Sequence, residues 1–150
     1  MDVSITFDDS LWPLLISRFH GAATDSEYEA YLAQGTAYLQ RGELYVSVLE
    51  MGQLVVPTAA QRQRQAEWLQ ENDNLLREQF LGCALVITSP FVRLALSTIR
   101  HLRPMPMPYV TVYDVSGGLK WAVTRLEEAG LTQSAGRIRR HFGLKPESRS

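Results

Sequence analysis

The start of the chain carries the pattern of two short strands. Residues 3–7 alternate between apolar and polar side chains, which is the period of a half-buried strand. The polar residues 8–10 predict a turn, and the mostly apolar residues 11–19 predict a second strand that ends at His20-Gly21. Because Pro13 has no backbone N–H to donate, this strand should begin at a sheet edge or just outside the ladder.

Helices and strands alternate after this pair. Residues 24–27, Thr-Asp-Ser-Glu, match a capping box, and apolar residues then recur at helical spacing up to Gly42. Residues 44–51 have the composition of a strand. Thr58 is a favoured N-cap residue, so we expect a long second helix over residues 59–80.

The second half of the chain continues this alternation. Residues 82–88 are almost continuously apolar and predict a strand buried on both faces, in the middle of the sheet. Pro90 suits the first position of a third helix, and the prolines of residues 103–108 force an extended connector after it. Residues 109–113 predict the last strand, and residues 119–129 a fourth helix.

This order of elements, β-β-α-β-α-β-α-β-α, predicts an α/β domain with a single mixed β-sheet of about five strands and helices packed against it. We assign the domain to residues 1–130. Residues 131–150 are predicted to be a basic C-terminal tail, at most a short helix and then disordered. Its larger apolar residues, Ile138, Phe142 and Leu144, should anchor little of the core, so the tail should be dispensable for folding.

The charge is unevenly distributed along the chain. The 150 residues are 45% apolar and 21% charged, with a net charge of −1, which is ordinary for a soluble globular protein. Residues 1–130 contain ten Lys and Arg against fifteen Asp and Glu, whereas residues 131–150 contain five against one. The acidic body argues against nucleic acid as the main partner, although the tail could contact it weakly.

Several features favour a cytoplasmic protein. The single cysteine, Cys83, cannot form an internal disulfide, and residues 1–4 lack the basic and apolar segments of a secretory signal. No apolar run approaches the length of a membrane span.

Over residues 1–130 the element order resembles the STAS fold of the anti-sigma-factor antagonists, and more closely its SpoIIAA-like branch, which is related to CRAL-TRIO domains. The residues that carry the resemblance are Phe19-His20-Gly21, Thr24-Asp25, Pro57-Thr58 with Gln61-Arg62, Trp68, and residues 89–93 and 119–122. The resemblance implies a non-enzymatic module that docks another protein or a second copy of itself, as a homodimer. The CRAL-TRIO relation implies an alternative, a carrier of a small apolar ligand or lipid. Such a carrier needs a cavity on the order of several hundred Å³, and the many aromatic residues predict little room for one.

The resemblance also directs attention to Thr58. In the anti-sigma antagonists a phosphorylatable serine lies in an Asp-Ser-Ser-Gly-like turn after the third strand. This sequence lacks that turn, and Thr58 is the hydroxyl at a comparable place. Thr58 is then either a phosphoacceptor beside a helix N-terminus or a plain N-cap, and the N-cap is favoured.

Basic residues on the second and third predicted helices form a candidate partner-binding surface with Thr58. Its members are Arg62, Arg64, Arg93, Arg100 and His101. The surface exists only if the two helices are neighbours. The ordinary alternative, a solvated charged face, is favoured because exposed helix faces are charged by default.

Metal and thiol chemistry find little support in the sequence. His20, His101 and His141 lie far apart, without the spacing of metal ligands. Cys83 lies in the most apolar run and predicts a buried, inert thiol. We therefore expect no metal site.

Hydrolytic and phosphate-binding motifs are equally weak. Ser89, Asp114 and His20 could be assembled into a triad, but the sequence has no Gly-x-Ser-x-Gly elbow. Gly117-Gly118 follows a strand without the remainder of a phosphate loop, so we expect a tight turn there. These absences predict a protein without enzymatic activity or cofactor.

The connector of residues 103–108 alternates Pro with Met or Arg. Two interpretations stay open. Its Met side chains either form an exposed, adaptable contact surface or pack into the core as a strap.

Overall fold

A computed structural model of the chain describes residues 4–91, 93–94 and 105–144, with the backbone alone at residues 53 and 54. Its strands are β1 (Ile5–Leu11), β2 (Leu14–Gly21), β3 (Tyr45–Leu54), β4 (Phe80–Val86) and β5 (Tyr109–Val112). Its helices are α1 (Asp25–Leu39), α2 (Ala59–Glu71), α3 (Asp73–Gln79), α4 (Val115–Glu128) and α5 (Thr132–Phe142). Residues 90, 91, 93 and 94 are also helical. Among the described helices, none has the length and hydropathy needed to cross a membrane.

The strands form one mixed sheet in the order β1-β2-β3-β4-β5. β1 and β2 pair antiparallel, with Ile5 opposite Phe19, and the three other pairs are parallel. Parallel neighbours need a crossover connection, because the chain must return to the same end of the sheet before each new strand. The predicted α/β fold with one mixed sheet is confirmed.

The hairpin turns later than the sequence pattern indicates. β1 runs through the predicted turn at residues 8–10 and reaches Leu11, with a register shift between Asp8 and Leu11. The Asp8 carboxylate accepts hydrogen bonds from the Ser10 N–H at 2.9 Å and the Ser10 hydroxyl at 2.6 Å. This local contact accommodates the polar triplet as an irregularity within the strand, so the turn moves to Trp12-Pro13.

The single helix predicted over residues 59–80 is two helices that meet at Asn72. Asn72 donates to the Trp68 carbonyl from both its side-chain Nδ2, at 2.9 Å, and its backbone N–H, at 3.0 Å. An amide side chain that competes for backbone groups favours a helix end. Phe80 consequently begins β4, where its ring stacks on Tyr45 at a centroid distance of 4.9 Å.

One face of the sheet carries a dense core beneath α4 and α5. Side chains alternate between the two faces of a strand, and those on this face are almost completely shielded from solvent. The fully buried members are Leu14, Val46, Val48, Ala84, Ala122, Val123, Leu126, Ala135 and Ile138.

Helix α4 lies very close to the sheet at its first turn. A Cβ on Gly118 would lie 3.3 Å from the Val48 side chain and 3.4 Å from Val86. The tight turn predicted at Gly117-Gly118 is wrong. The Asp114 side chain accepts a hydrogen bond from the Gly117 N–H at 2.7 Å and starts α4 ahead of both glycines.

Helix α5 occupies the region predicted to be a dispensable tail. Its apolar residues Leu131, Ala135, Ile138 and Phe142 pack on the dense core, and Leu144 continues the contact beyond the helix. The expectation that this segment anchors little of the core is wrong. Its few apolar residues are spaced so that all of them fall on one helix face.

Candidate functional site

The opposite face of the sheet forms the floor of a cavity of about 730 Å³. Residues two apart along a strand share this face. The floor includes Leu15 and Ser17 of β2, Tyr45, Ser47 and Leu49 of β3, and Cys83 of β4. The two faces of the sheet therefore differ. Helices α4 and α5 pack directly on the face of the dense core, whereas α1 and α2 leave a space above the opposite face.

Helices α1 and α2 form the roof of this cavity. The roof includes Tyr28, Tyr31 and Leu32 of α1 and Gln65, Ala66 and Leu69 of α2. Both helices begin with complete capping boxes, Thr24 with Glu27 and Thr58 with Gln61. These caps satisfy the first backbone donors and fix where each helix starts after its strand.

Hydrogen bonds and an ion pair connect the two roof helices, α1 and α2. Trp68 of α2 donates from Nε1 to the Thr36 hydroxyl of α1 at 2.9 Å. Gly35 permits this approach, because a Cβ there would lie 3.0 Å from the Trp68 ring. Arg64 donates to both carboxylate oxygens of Glu29, at 2.7 and 3.2 Å, a geometry that fixes the pair well. The roof is thus held without side chains filling the space beneath it.

Residues 105–107 of the connector form a strap that lines another side of the cavity. Met107 is buried and Met105 is partly buried, and both pack with the aromatic cluster of Tyr38, Tyr45 and Trp68. Of the two interpretations of the connector, the strap is confirmed for these two residues.

The floor contains polar groups that the protein itself leaves unpaired. Ser17 and Ser47 are 2% and 4% exposed. They lie on paired parallel strands, where Leu15 is opposite Ser47 and Ser17 is opposite Leu49, which makes the two serines diagonal neighbours. Within the described part of the chain, neither hydroxyl has a hydrogen-bond partner. The hydroxyls of these two buried serines therefore open onto a largely apolar space.

The thiol and phenol groups that line the cavity are neutral at physiological pH. Burial raises the pKa of the Cys83 thiol and of the Tyr28 hydroxyl to about 12 each. Burial also raises the pKa of Tyr31 and of Tyr45, with smaller effects from neighbouring groups that include Cys83. The predicted burial of Cys83 is confirmed. The floor and roof accordingly present protonated hydroxyl and thiol groups.

The cavity reaches the surface at the carboxyl ends of β2 and β3. There it is lined by Gly21, by Val55 and Val56, which are half-exposed, and by the exposed Arg62. Arg62 donates from Nη1 to the Pro57 carbonyl at 2.6 Å. Carboxyl ends of parallel strands are the usual ligand position in open α/β sheets. We call this opening the mouth.

The residues predicted from the sequence to bind a partner fall in different environments. Thr58 is the N-cap of α2: its hydroxyl accepts from the Gln61 N–H at 3.1 Å, which confirms the N-cap interpretation. Arg62 lies at the mouth. Arg64 forms ion pairs with Glu29 and Glu67.

Arg93 is held by the protein's own groups. It donates from Nε to the Ile87 carbonyl at 3.1 Å, and its guanidinium lies 3.7 Å from the centre of the Tyr113 ring. Arg100 and His101 lie outside the described residues. The basic partner-binding surface stays a prediction. Each of its described arginines, Arg62, Arg64 and Arg93, has an intramolecular partner.

Exposed apolar side chains gather after the strands that point toward the mouth. Val55 and Val56 follow β3, Phe91 and Leu94 follow β4, and Tyr113 follows β5. Phe91 is 84% exposed and Tyr113 is 71% exposed. Apolar surface of this kind often marks an interaction site.

Metal and triad chemistry have no assembled site in the described residues. No group of three or more His, Cys, Asp or Glu side chains there is arranged to hold a metal ion. Asp114 caps α4 through the Gly117 N–H. His20 is exposed and lies at the end of β2.

Comparison with known proteins supports the assignment of the fold. The sequence matches no protein-family model and no curated protein. The structure is similar to that of an uncharacterised protein of the DUF3478 family from Shewanella loihica PV-4, whose fold is SpoIIAA-like. The TM-score is 0.60 at 14% identity, over 79% of this chain and 91% of that chain.

This chain has a SpoIIAA-like fold. The resemblance to STAS-like domains predicted from the element order is confirmed at that level. At 14% identity the likeness concerns the fold alone and carries no site residue from one protein to the other.

The position of the aromatic side chains explains why the sequence pattern did not predict the cavity. The aromatic residues expected to fill the interior line the cavity or pack around it, as Tyr31 and Tyr45 do. A usable signal was present in the strands: Ser17 and Ser47 occupy positions where the alternation predicts inward-facing side chains.

Proposed function

We propose that this protein binds a small apolar ligand in the cavity between the sheet and helices α1 and α2. One observation carries the proposal: a space of about 730 Å³ lined mainly by apolar and aromatic side chains. Its volume falls within the range of small-molecule sites, roughly 300–1,000 Å³. The other face of the same sheet is the internal comparison, since its core side chains are almost completely buried against α4 and α5.

The lining favours binding energetically. A ligand in this space transfers its apolar surface from water to side chains such as Leu15, Leu32 and Leu69, at about 25 cal/mol per Å². Because Trp68 and Arg64 already hold the roof helices together, little ordering of the protein accompanies binding. We propose binding without chemical turnover, in keeping with the neutral thiol and phenol groups of the cavity.

A second candidate function, docking of a partner protein or a second copy of this chain, rests on a different observation. The apolar side chains exposed beyond β3, β4 and β5, above all Phe91 and Tyr113, form a surface that a partner would cover. This function needs neither the cavity nor its floor.

The two candidates are separated by filling the cavity. Ala66 of α2 lines the cavity, whereas Ala60 of the same helix is exposed, so Ala66→Phe places a phenyl ring in the cavity and Ala60→Phe places it on the surface. The probe is 1-ethylpyrene, titrated by its own fluorescence. We expect saturable, equimolar binding to the wild type and to A60F, and loss of binding in A66F.

Circular dichroism and the thermal midpoint of A66F establish that the variant is folded. Equal binding by A66F and the wild type would contradict the ligand-binding proposal. If binding were instead lost on Phe91→Ser, a residue that is not part of the described cavity lining, the exposed apolar surface would be the site of interaction.

A further inference from the structure

The two buried serines of the cavity floor bear on the chemical class of the ligand. Ser17 and Ser47 are diagonal neighbours on β2 and β3, and both line the cavity on the face away from the dense core. An aliphatic side chain at either position would pack as well as its neighbours Leu15 and Leu49. Serine there is unfavourable unless its hydroxyl finds a hydrogen bond, because an unpaired buried hydroxyl loses about 1–3 kcal/mol.

The protein supplies no such bond among its described residues. Nor does a neighbouring strand: the side chains opposite the serines across the ladders are Phe7, Leu15, Leu49 and Cys83. The thiol of Cys83 is at best a weak partner. The partner is therefore supplied by what occupies the cavity, either water or a ligand group that replaces it.

The surroundings restrict what that partner can be. The charged side chains of the described lining are Arg62 and Asp73, both on the α2–α3 segment, and the floor strands contribute none. A charged ligand group at the floor would be buried without a counter-ion, which is strongly unfavourable. A neutral oxygen function, such as a hydroxyl, carbonyl or ether, meets two serine hydroxyls that can each donate or accept.

We infer that the ligand is an apolar molecule whose buried end carries an uncharged oxygen function, hydrogen-bonded by Ser17 and Ser47. This inference rests on the proposed function and adds the chemical class of the ligand. Any charged group of the ligand lies at the mouth beside Arg62, where water and a guanidinium are available.

The test compares two probes of nearly the same shape, 1-pyrenemethanol and 1-ethylpyrene, which differ by a hydroxyl in place of a methyl group. Each is titrated into the wild type, the double variant S17A/S47A and the control S116A, which removes an exposed serine of α4. We expect S17A/S47A to weaken binding of the alcohol by about 5- to 50-fold, the loss of one to two hydrogen bonds. Binding of 1-ethylpyrene should be unchanged or tighter, and S116A should match the wild type for both.

Each other outcome is informative. Equal effects of S17A/S47A on both probes would overturn the inference, because the serines would then act only through the shape of the cavity. Unchanged affinity for the alcohol would also overturn it, since water would already satisfy the serines. In both of these cases wild-type binding of 1-ethylpyrene would leave the proposed function standing. Failure of both probes to bind the wild type would overturn the function itself. A third probe, 1-pyrenecarboxylate, should bind equally well to the wild type and to S17A/S47A. If its binding depended on the serines, the inference that the buried end of the ligand is uncharged would be contradicted.

Discussion

Replacing Ile138 by alanine tests how firmly helix α5 belongs to the fold. Ile138 is completely buried, and it packs in the same cluster as Val48, Ala84 and Leu126. Truncating a fully buried Ile to Ala removes its transfer free energy and leaves a cavity, and typically lowers the free energy of unfolding by about 2–5 kcal/mol. We expect about 3 kcal/mol here, because the surrounding strands and α4 cannot collapse onto the space.

The assay is equilibrium unfolding in urea, followed by circular dichroism. For a chain of this size, a loss of about 3 kcal/mol corresponds to a fall of roughly 6–12 °C in the thermal midpoint. Gln133→Ala is the matched control, since Gln133 lies on the exposed face of α5 and its loss should change the free energy of unfolding by less than about 0.5 kcal/mol.

Truncation after Gly130 extends the same reasoning. It removes Ile138 together with Leu131, Phe142 and Leu144, so it should destabilise the protein more than I138A does. A truncated chain, or an I138A variant, with the midpoint of the wild type would refute the packing of α5 on the core and restore the interpretation of this segment as a dispensable tail.

Three further predictions concern individual residues. Thr58→Ala removes the cap of α2 and should lower the free energy of unfolding by about 1 kcal/mol, whereas no change in a urea titration would contradict the capping role. Hydrogen bonds from the Thr24 backbone and the Ser4 hydroxyl lower the pKa of Glu27 to about 2 from an ordinary 4.5, so its stabilisation is complete above pH 4.5 and is lost as the pH falls towards 2. Glu27→Gln should therefore reduce the loss of unfolding free energy between pH 4.5 and pH 2. The same loss in the variant and the wild type would contradict a stabilising role of the Glu27 carboxylate. Burial raises the pKa of Cys83 to about 12, so a disulfide reagent at pH 8 should label it only after unfolding, and rapid labelling of the native protein would show an open, reactive thiol.

The architecture was predictable because it depends on periodicity and turn chemistry. The capping boxes at Thr24 and Thr58 and the apolar run of β4 marked where helices and strands begin, and the structure has them close to those places. The errors lie where a local side-chain contact competes with periodicity. Asp8 bonds to Ser10 without ending β1, and the amide of Asn72 divides a helix whose apolar stripe is continuous.

The cavity could not be derived from the same information. Its volume depends on the distance between the sheet and the roof, which contacts remote in sequence set, such as Trp68 with Thr36 and Arg64 with Glu29. A sequence of aromatic residues does not distinguish a filled interior from one that surrounds a space. The diagonal arrangement of Ser17 and Ser47 likewise depends on the register of β2 on β3.

The most direct test of ligand binding in the cavity is the set of nuclear Overhauser effects between bound 1-ethylpyrene and the methyl groups of the protein. Cavity binding predicts contacts from the probe to Leu15, Leu32 and Leu69, and none to Val123 or Ile138 of the dense face. A saturated complex whose contacts involve only Leu94 and other exposed residues outside the cavity lining would contradict the account and place the interaction on the surface.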